Sequence, residues 1–383
     1  MDLNFTEEQH ILRDMVRSMV EDHSTTGTVR EMEHDEIGIP AGLWAQMKDM
    51  GLLSIMLPEE YGGIGLDMVD CALIYEELGR GLAPGPHFVS SVISLGAIAR
   101  GGSEDQKSEL LPQLGSGELI VAPAWLEPGN SFSPEGVQMR AVAGDKGFTL
   151  NGVKRHVFYA KAAHKLLVLA RTGDAVDAVD LFLVDIDAPG VELEQQQSMA
   201  YDTQYKVTFN DVTVPAANQL EGGWATWHQV LLDGCILQAA FAVGAAQKAL
   251  DITVQYSKER EQFDKPIGSF QALAHYMADA QVEITGAQVL VWEAAWAHRE
   301  GKSIERLAPM AKLFCCNANR DATAKCEQIH GGYGFTMEYD IQLFFRRAKQ
   351  QQMNWLDSRA LEDLISADVL DNAEITIADP FKV

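Results

Sequence analysis

The first third of the chain carries apolar residues at helical spacing. Those between Leu12 and Val20 fall on one face of a helix. Thr6, followed three residues later by Gln9, forms a capping box that predicts where this helix begins. The same spacing predicts three further helices, over residues 43–50, 67–78 and 104–114. A helical region is therefore expected up to about residue 117.

Beyond that point the apolar runs shorten to strand length. Leu166–Ala170 and Leu181–Val184 are such runs, and Val207–Pro215 alternates apolar and polar residues until the proline ends it. Phe148–Gly152 indicates a strand that enters an Asn-Gly turn. These signals predict a β domain over residues 118–222.

Helical spacing returns in the last part of the chain. A long helix is expected over residues 236–258, where alanine and glycine recur and would let neighbouring helices approach closely. Three more helices are expected, over residues 271–299, 304–328 and 341–353. The order helix, strand, helix predicts an α+β multidomain fold.

The composition is that of a folded protein with more than one domain. A chain of 383 residues is long for one core, and 47% of its residues are hydrophobic. No continuous apolar run reaches the roughly 18–20 residues of a membrane helix, and residues 1–8 do not have the pattern of a secretory signal. Five cysteines lack the spacing of a zinc site, which favours reduced thiols in a cytoplasmic protein.

The net charge limits the partners. With 30 basic and 55 acidic residues the formal charge is -25, and such a field repels nucleic acid and anionic lipid. We therefore expect neither nucleic-acid binding nor a membrane span. An anionic ligand would need a local site of cations or backbone amides.

Two C-terminal segments combine cations, aromatics and glycines. In Lys258–Gln271, Arg260 can contact a phosphate with two donors, although charge alone favours a solvated helix end. In Gln328–Phe335, the glycines allow backbone amides to approach a phosphate, although a tight turn between helices explains them too. Neither is a Walker loop, and no Ser-His-Asp or GxSxG arrangement is present. His330 is the most notable histidine, but a packing role is commoner than that of a base.

Five segments together resemble the acyl-CoA dehydrogenase family, in the order in which that family carries them. They are Gly51–Gly63, Phe209–Pro215, Arg260–Gln271, Gln328–Phe335 and Glu338–Ala348. No single segment is decisive, but five in the correct order over the whole chain are specific.

This resemblance implies the architecture and the chemistry. It implies an N-terminal helical domain, a middle β-barrel domain and a C-terminal four-helix bundle, with predicted bounds 1–117, 118–222 and 223–383. It also implies FAD, an acyl-CoA thioester, electron-transfer flavoprotein as acceptor, and a homo- or hetero-tetramer built as a dimer of dimers. In the family a carboxylate removes the α-proton of the thioester while a hydride leaves the β-carbon for flavin N5.

The family's cofactor positions are mostly kept on one side of the site. The residues that match positions holding the adenine-diphosphate half of a neighbouring subunit's FAD are Arg260, Gln262, Phe263, Gln328, Gly331 and Gly332. Val157 matches a position against the flavin ring. The threonines that would hydrogen-bond the ring are replaced by Leu126 and Phe158, and Asp264 replaces a glycine beside the pyrophosphate.

The catalytic base is missing from its usual position. The family's glutamate corresponds to Trp355, and an indole cannot accept this proton. Other members carry the base on the long helix, near Gly234, which makes the adjacent Asp233 a candidate, although a helix N-cap is the commoner role for such an acid. Asp357 is a weaker candidate.

This pattern of losses resembles the non-catalytic partner in heteromeric acyl-CoA dehydrogenases. The favoured function is thus a FAD-dependent acyl-CoA dehydrogenase or a subunit of one, in fatty acid or steroid catabolism. One alternative is another flavin enzyme on this scaffold, such as an acyl-CoA oxidase, a nitroalkane oxidase-like enzyme or a flavin monooxygenase. The other alternative is a scaffold protein that has lost its flavin.

Overall fold

The computed structural model describes residues 4–129 and 131–371. The helices are α1 Glu7–His23, α2 Thr26–Glu31, α3 Ala41–Asp49, α4 Met68–Arg80, α5 Leu95–Gly101, α6 Glu104–Gly115, α7 Gly223–Glu259, α8 Gln271–Arg299, α9 Leu307–His330, α10 Ile341–Met353 and α11 Ser358–Ser366. The strands are β1 Val121–Ala124, β2 Ala141–Gly144, β3 Gly147–Phe158, β4 Lys165–Arg171, β5 Val179–Asp185, β6 Val191–Gln196, β7 Gln204–Val214, β8 Gln219–Leu220, β9 Glu261–Gln262 and β10 Lys265–Pro266.

The N-terminal helices begin where local chemistry starts them. Thr6 Oγ1 accepts a hydrogen bond from Gln9 N at 3.2 Å, and Gln9 Oε1 accepts one from Thr6 N at 3.1 Å. The capping box predicted for α1 is therefore confirmed. Asp67 caps α4 in the same way with Asp70. α1 packs on α4 through its buried apolar stripe.

The middle region forms two four-stranded sheets around one apolar core. One sheet has the order β1-β4-β5-β8 and the other β2-β3-β7-β6. β1 pairs with β4 in parallel, whereas the other neighbouring strands in the two sheets are antiparallel. Apolar residues from both sheets share the interior. This architecture is the predicted β domain, and it lies between the helical regions.

The predicted turn at Asn151-Gly152 is wrong. These residues lie inside β3, at a shift of register against β7. The side chain of Asn151 exchanges two hydrogen bonds of 2.8 Å with Asp211 on β7, which favours a bulge here over a turn. Gly152 adopts a φ of 154°. The hairpin instead turns between Gly144 and Gly147.

The C-terminal helices α7 to α10 pack together as a bundle, with α7 also against α4. Glycine allows the closest approach of α4 and α7, because a Cβ on Gly244 would lie 1.8 Å from the carbonyl oxygen of Glu76. α7 is long and apolar enough to cross a membrane, but 83% of its most apolar window is buried inside the protein. It is therefore the central helix of the fold.

The predicted domain bounds fall in connecting segments. Residue 117 lies between α6 and β1, and residue 222 lies just before α7. The division at these residues stays a prediction. The five cysteines are buried free thiols.

Candidate active site

The segment after α10 places Trp355 in a strained backbone conformation. Trp355 and Leu356 have φ values of 53° and 81°, a region that bulky residues rarely adopt and that is common at functional sites. Lys312 on α9 is completely buried, and its Nζ donates to the Leu356 carbonyl oxygen at 2.7 Å. This contact ties the turn to the bundle.

The indole of Trp355 lies within a group of aromatic rings. It stacks on Phe158 at 6.0 Å between ring centroids and 23° between ring planes. It is nearly parallel to Trp125, at 6.4 Å and 11°, and meets Phe88 edge-on at 5.3 Å. Trp125 in turn contacts Trp227 at 5.2 Å. Trp355, expected at the family's base position, thus stacks on Phe158, expected at the position of a flavin-binding threonine.

Neither acidic candidate faces this region as a free carboxylate. Asp233 is buried, with one carboxylate oxygen 2.5 Å from Arg100 Nη2 and the other 3.2 Å from His298 Nε2. It does not line the pocket next to Trp355. Asp357 caps α11, where Oδ1 accepts a hydrogen bond from Ala360 N at 2.9 Å. Because both carboxylates already have partners, neither has the geometry of a free base.

Val157 points away from the aromatic group. Its side chain is fully buried in the interior of the β domain, among the residues shared by the two sheets. Alternation along β3 then directs the side chain of the next residue, Phe158, to the pocket. The orientation of β3 therefore does not support contact between the Val157 side chain and a flavin ring.

The two segments for which the sequence suggested a contact with phosphate meet on the surface. The guanidinium of Arg260 lies 5.7 Å from the ring centroid of Tyr333, and the rings of Tyr256 and His330 stack at 4.3 Å. These contacts join the end of α7 at Glu259 to the end of α9 at His330. The sequence had indicated each segment separately, and the structure brings them together.

His330 anchors this junction as a neutral ring. Its Nδ1 lies 2.8 Å from the carbonyl oxygen of Cys326, which can only accept, so Nδ1 donates. Burial lowers the pKa of His330. This geometry agrees with the prediction from the sequence that His330 packs and does not act as a base.

The surface formed by these segments has room for a phosphate group. The predicted residues on it are all exposed, namely Arg260, Gln262, Phe263, Gln328, Gly331 and Gly332. A Cβ added to Gly331 or Gly332 would meet nothing within 4 Å, so the space beside these residues is open to a ligand, although the Gly331 N–H already donates to the Gln328 carbonyl oxygen. Arg260 supplies an exposed cation beside them. We call these six residues the nucleotide cradle, because an exposed cation beside open space suits a diphosphate group.

A two-residue turn forms one edge of the nucleotide cradle. Phe263 and Asp264 join β9 to β10 with φ values of 56° and 63°. Two positive φ values mark a type I′ turn, for which glycine is the usual second residue. This explains why the family carries glycine where the chain has Asp264. Phe263 is 86% exposed.

A pocket of about 150 Å³ lies behind Trp355. None of the nucleotide cradle residues lines it. Its polar lining comes from distant segments and includes His87, Tyr159, Asp202, Gln238, Asn319, Arg347, Gln350 and Gln351. Of these, only Arg347 lies in one of the five segments that carry the family resemblance. The consecutive Gln350–Gln352, all buried on α10, were a signal available in the sequence, since unpaired amides are costly inside a core.

Comparison with known proteins agrees with this geometry. The family models for the N-terminal, middle and C-terminal domains of acyl-CoA dehydrogenase match residues 6–118, 122–212 and 221–353. YngJ of Bacillus subtilis, named a probable acyl-CoA dehydrogenase, is 34% identical over 366 residues, which cover 92% of this chain and 95% of YngJ.

Two solved structures share the fold over nearly the whole chain. A chain in the structure of the electron transferring flavoprotein of Acidaminococcus fermentans aligns with a TM-score of 0.89 at 32% identity, covering 97% of this chain and 100% of that one. A chain of the ChsE4-ChsE5 complex from Mycobacterium tuberculosis aligns with a TM-score of 0.88 at 26% identity, covering 98% and 100%. From the three matched domains and these relatives, the chain belongs to the acyl-CoA dehydrogenase family.

Proposed function

We propose that the chain is a subunit of a FAD-dependent acyl-CoA dehydrogenase that offers its nucleotide cradle to the FAD of a neighbouring subunit and supplies no base of its own. The observation that carries this proposal is the stacking of Trp355 on Phe158. These two residues stand at the family's base position and at one of its flavin-ring positions.

The space between those positions is too small for the reaction. In the reaction, the flavin ring and the thioester lie one on the other between the base and the residue that binds the ring. Each of these two layers is about 3.5 Å thick. The two centroids are 6.0 Å apart in a stacked arrangement, so the side chains fill the gap themselves. The residues that would hold the flavin ring in this chain therefore do not fit it, whereas the nucleotide cradle fits the diphosphate.

Proton removal also requires a group that Trp355 lacks. An α-proton of a thioester is weakly acidic, and the family uses a desolvated carboxylate to remove it. The indole N–H is a donor only, and Asp233 is held by Arg100 and His298. The base then comes from another subunit. Bound FAD would supply the redox chemistry there, taking the hydride from the β-carbon.

The surface of the bundle supports assembly with further subunits. On the outer sides of α8 and α9, Val282 is 72% exposed, Tyr276 46% and Phe314 43%. Exposed apolar side chains on neighbouring helices commonly mark an interface. We therefore include a tetramer, built as a dimer of dimers, in the proposal. The ChsE4-ChsE5 relative is a complex of two different chains, which supports the heteromeric form.

The electron acceptor and the location are also part of the proposal. A relative of similar fold occurs in the structure of an electron transferring flavoprotein, so we propose electron-transfer flavoprotein as the electron acceptor. Five buried free thiols suit a reducing compartment, and we propose the cytoplasm. A pure scaffold role is less well supported, since the open glycines and Arg260 would then serve no ligand.

The flavin content of the purified chain tests the subunit role. We expect the chain alone to hold far less than one FAD and to show no bleaching of flavin absorbance on addition of an acyl-CoA. Coexpression with an acyl-CoA dehydrogenase that carries the family's glutamate should give a complex with about one FAD for each pair of unlike subunits. One FAD per chain with rapid bleaching in the isolated protein would refute the proposal.

A further inference from the structure

The glycines of the nucleotide cradle begin a loop, residues 331–340, that joins α9 to α10. We call this segment the cradle loop. Gly334 packs it against α9, since a Cβ at this residue would lie 2.4 Å from the carbonyl oxygen of Glu327. The Gly334 N–H also donates to the carbonyl oxygen of Gly331 at 2.9 Å. The first half of the cradle loop is therefore held by α9.

Tyr339 connects the second half of the cradle loop to the rings beside Arg260. The centroid of its ring lies 5.4 Å from that of His330 and 6.2 Å from that of Tyr333. It also meets the ring of Tyr256 edge-on at 6.1 Å. Tyr333 in turn lies 5.7 Å from the guanidinium of Arg260. Because packed groups transmit displacements to their neighbours, a shift of Tyr339 would move the ring against which Arg260 is placed.

An arginine from the N-terminal helices holds this second half. Arg30 on α2 donates through Nη1 to Asp340 Oδ1 at 2.7 Å, although the two residues are 310 positions apart in the chain. Its Nη2 donates to the carbonyl oxygen of Glu338 at 3.1 Å, and its Nε lies 3.4 Å from that of Met337. The donors of a guanidinium lie in one rigid plane. One side chain therefore fixes the backbone on both sides of the carboxylate that it pairs with and Tyr339 between them.

A separate set of ion pairs holds the helix that follows the cradle loop. Glu33, just after α2, accepts hydrogen bonds from Arg346 Nη2 at 2.7 Å and from Arg347 Nη1 at 3.2 Å. Both arginines lie on α10, and the side chain of Glu33 is only 8% exposed. Since these pairs attach α10 independently of Arg30, loss of Arg30 would loosen the cradle loop without releasing the helix.

We propose that Arg30 is a positioning residue of the nucleotide cradle, which fixes the cradle loop at residues 337–340 and thereby sets how firmly the diphosphate half of a neighbouring subunit's FAD is held. This inference rests on the proposed function. The side chain of Arg30 is 29% exposed and that of Asp340 42%, so the pair adds little to the stability of the chain. Its effect on FAD is carried by Tyr339 and the rings that Tyr339 contacts.

The rate of FAD release from the assembled complex, with the partner subunit in excess, tests the proposal. Arg30→Ala should speed release by about three- to tenfold, as is usual for a residue that acts through a packed network. Arg140→Ala is the matched control, since Arg140 pairs with Asp174 at 2.9 Å in the β domain, and it should leave release unchanged. If Arg260→Ala speeds release and Arg30→Ala does not, this inference is overturned and the proposed function stands. A complex that holds no FAD even with the unaltered chain would refute both.

The partner of Arg30 supplies a second variant. Asp340→Ala should speed FAD release in the same direction, and its effect should largely disappear when Arg30→Ala is already present, because residues that act through one contact are not additive. Effects of the two substitutions that multiply would contradict a shared path to the nucleotide cradle.

Amide hydrogen exchange of the isolated full chain gives a readout that needs neither FAD nor a partner. The N–H groups of Gly334, Thr336 and Tyr339 donate to carbonyl oxygens within the cradle loop, so Arg30→Ala should speed their exchange while α7 exchanges as before. The urea midpoint should stay close to that of the unaltered chain. Unchanged exchange in residues 331–340 would overturn the proposal, since Arg30 would then not hold this loop.

Discussion

The ammonium group of Lys312 donates to the carbonyl oxygen of Leu356 across 2.7 Å, inside the protein. Leu356 follows Trp355 in the left-handed turn, so the lysine holds the backbone that presents the indole.

Replacement of Lys312 by methionine is expected to loosen the turn. The buried Leu356 carbonyl oxygen would lose its donor, which lowers the free energy of unfolding by about 1–3 kcal/mol. Urea unfolding measures the change. Lys325→Met on the same helix is the control, since Lys325 only pairs with Glu283 at the surface and should change stability by less than about 0.5 kcal/mol. Equal effects of the two substitutions would contradict the role given to Lys312.

Removal of the Trp355 indole is expected to destabilise the chain strongly. Trp355 is 8% exposed and contacts three other aromatic rings, so Trp355→Ala leaves a cavity and lowers the free energy of unfolding by about 3–5 kcal/mol. Phe335→Ala serves as the control, because Phe335 is 71% exposed. A loss below about 1 kcal/mol for Trp355→Ala would show that the aromatic group is loosely packed and that its space is open to a ligand.

Removal of Arg260 is expected to weaken FAD binding in the assembled protein. A charge-assisted contact to phosphate is worth about 1.5–3 kcal/mol, so Arg260→Ala should raise the dissociation constant about 10- to 100-fold. Flavin fluorescence released on dilution of the complex measures this change. Lys258→Ala removes an equal charge from the same exposed segment and should have a much smaller effect. Similar losses in the two variants would indicate a general charge effect and no direct contact by Arg260.

Stability is expected to fall as pH rises toward neutrality because of Glu76. Burial and, to a smaller extent, the neighbouring carboxylate of Glu77 raise the pKa of Glu76 to about 7. A hydrogen bond from Gln288 and the charges of Arg13 and Arg80 oppose that shift. Since the folded-state pKa exceeds the unfolded value of 4.5, the stabilisation is complete below about pH 4.5. It is lost as pH rises through about 7.

The variant Glu76→Gln separates this contribution from those of other groups. The difference in unfolding free energy between pH 5 and pH 8 should be smaller in the variant by about 2–3 kcal/mol. Asp14→Asn is the control, because the side chain of Asp14 is 69% exposed and should leave the profile unchanged. A profile that is the same with and without Glu76 would rule out its titration in this range.

Local signals in the sequence gave much of the fold. The Thr6–Gln9 capping box, the apolar spacing of α8 and the strand at residues 207–215 are observed close to their expected positions. These features depend on neighbours within a few residues. The turn expected at Asn151-Gly152 failed because Asp211, on another strand, pairs with Asn151. Contacts between two strands cannot be inferred from the sequence of one strand alone.

The candidate site was predictable in its parts but not in its arrangement. The resemblance singled out Arg260 and Gly331, yet only the contact of Arg260 with Tyr333 shows that both belong to one surface. It also placed Trp355 at the base position, without indicating that this ring stacks on Phe158. Asp233 was named for its place on α7, whereas its ion pairs depend on α8 and on the N-terminal region.

The nucleotide cradle faces outward, so retention of the cofactor depends on the association of the subunits. A ligand held partly by one subunit and partly by another is bound only while the two are associated, so cofactor occupancy and subunit association become a single equilibrium. Dilution below the concentration at which the subunits part would then release the flavin even where its intrinsic contacts are strong. An excess of either subunit would restore flavin binding.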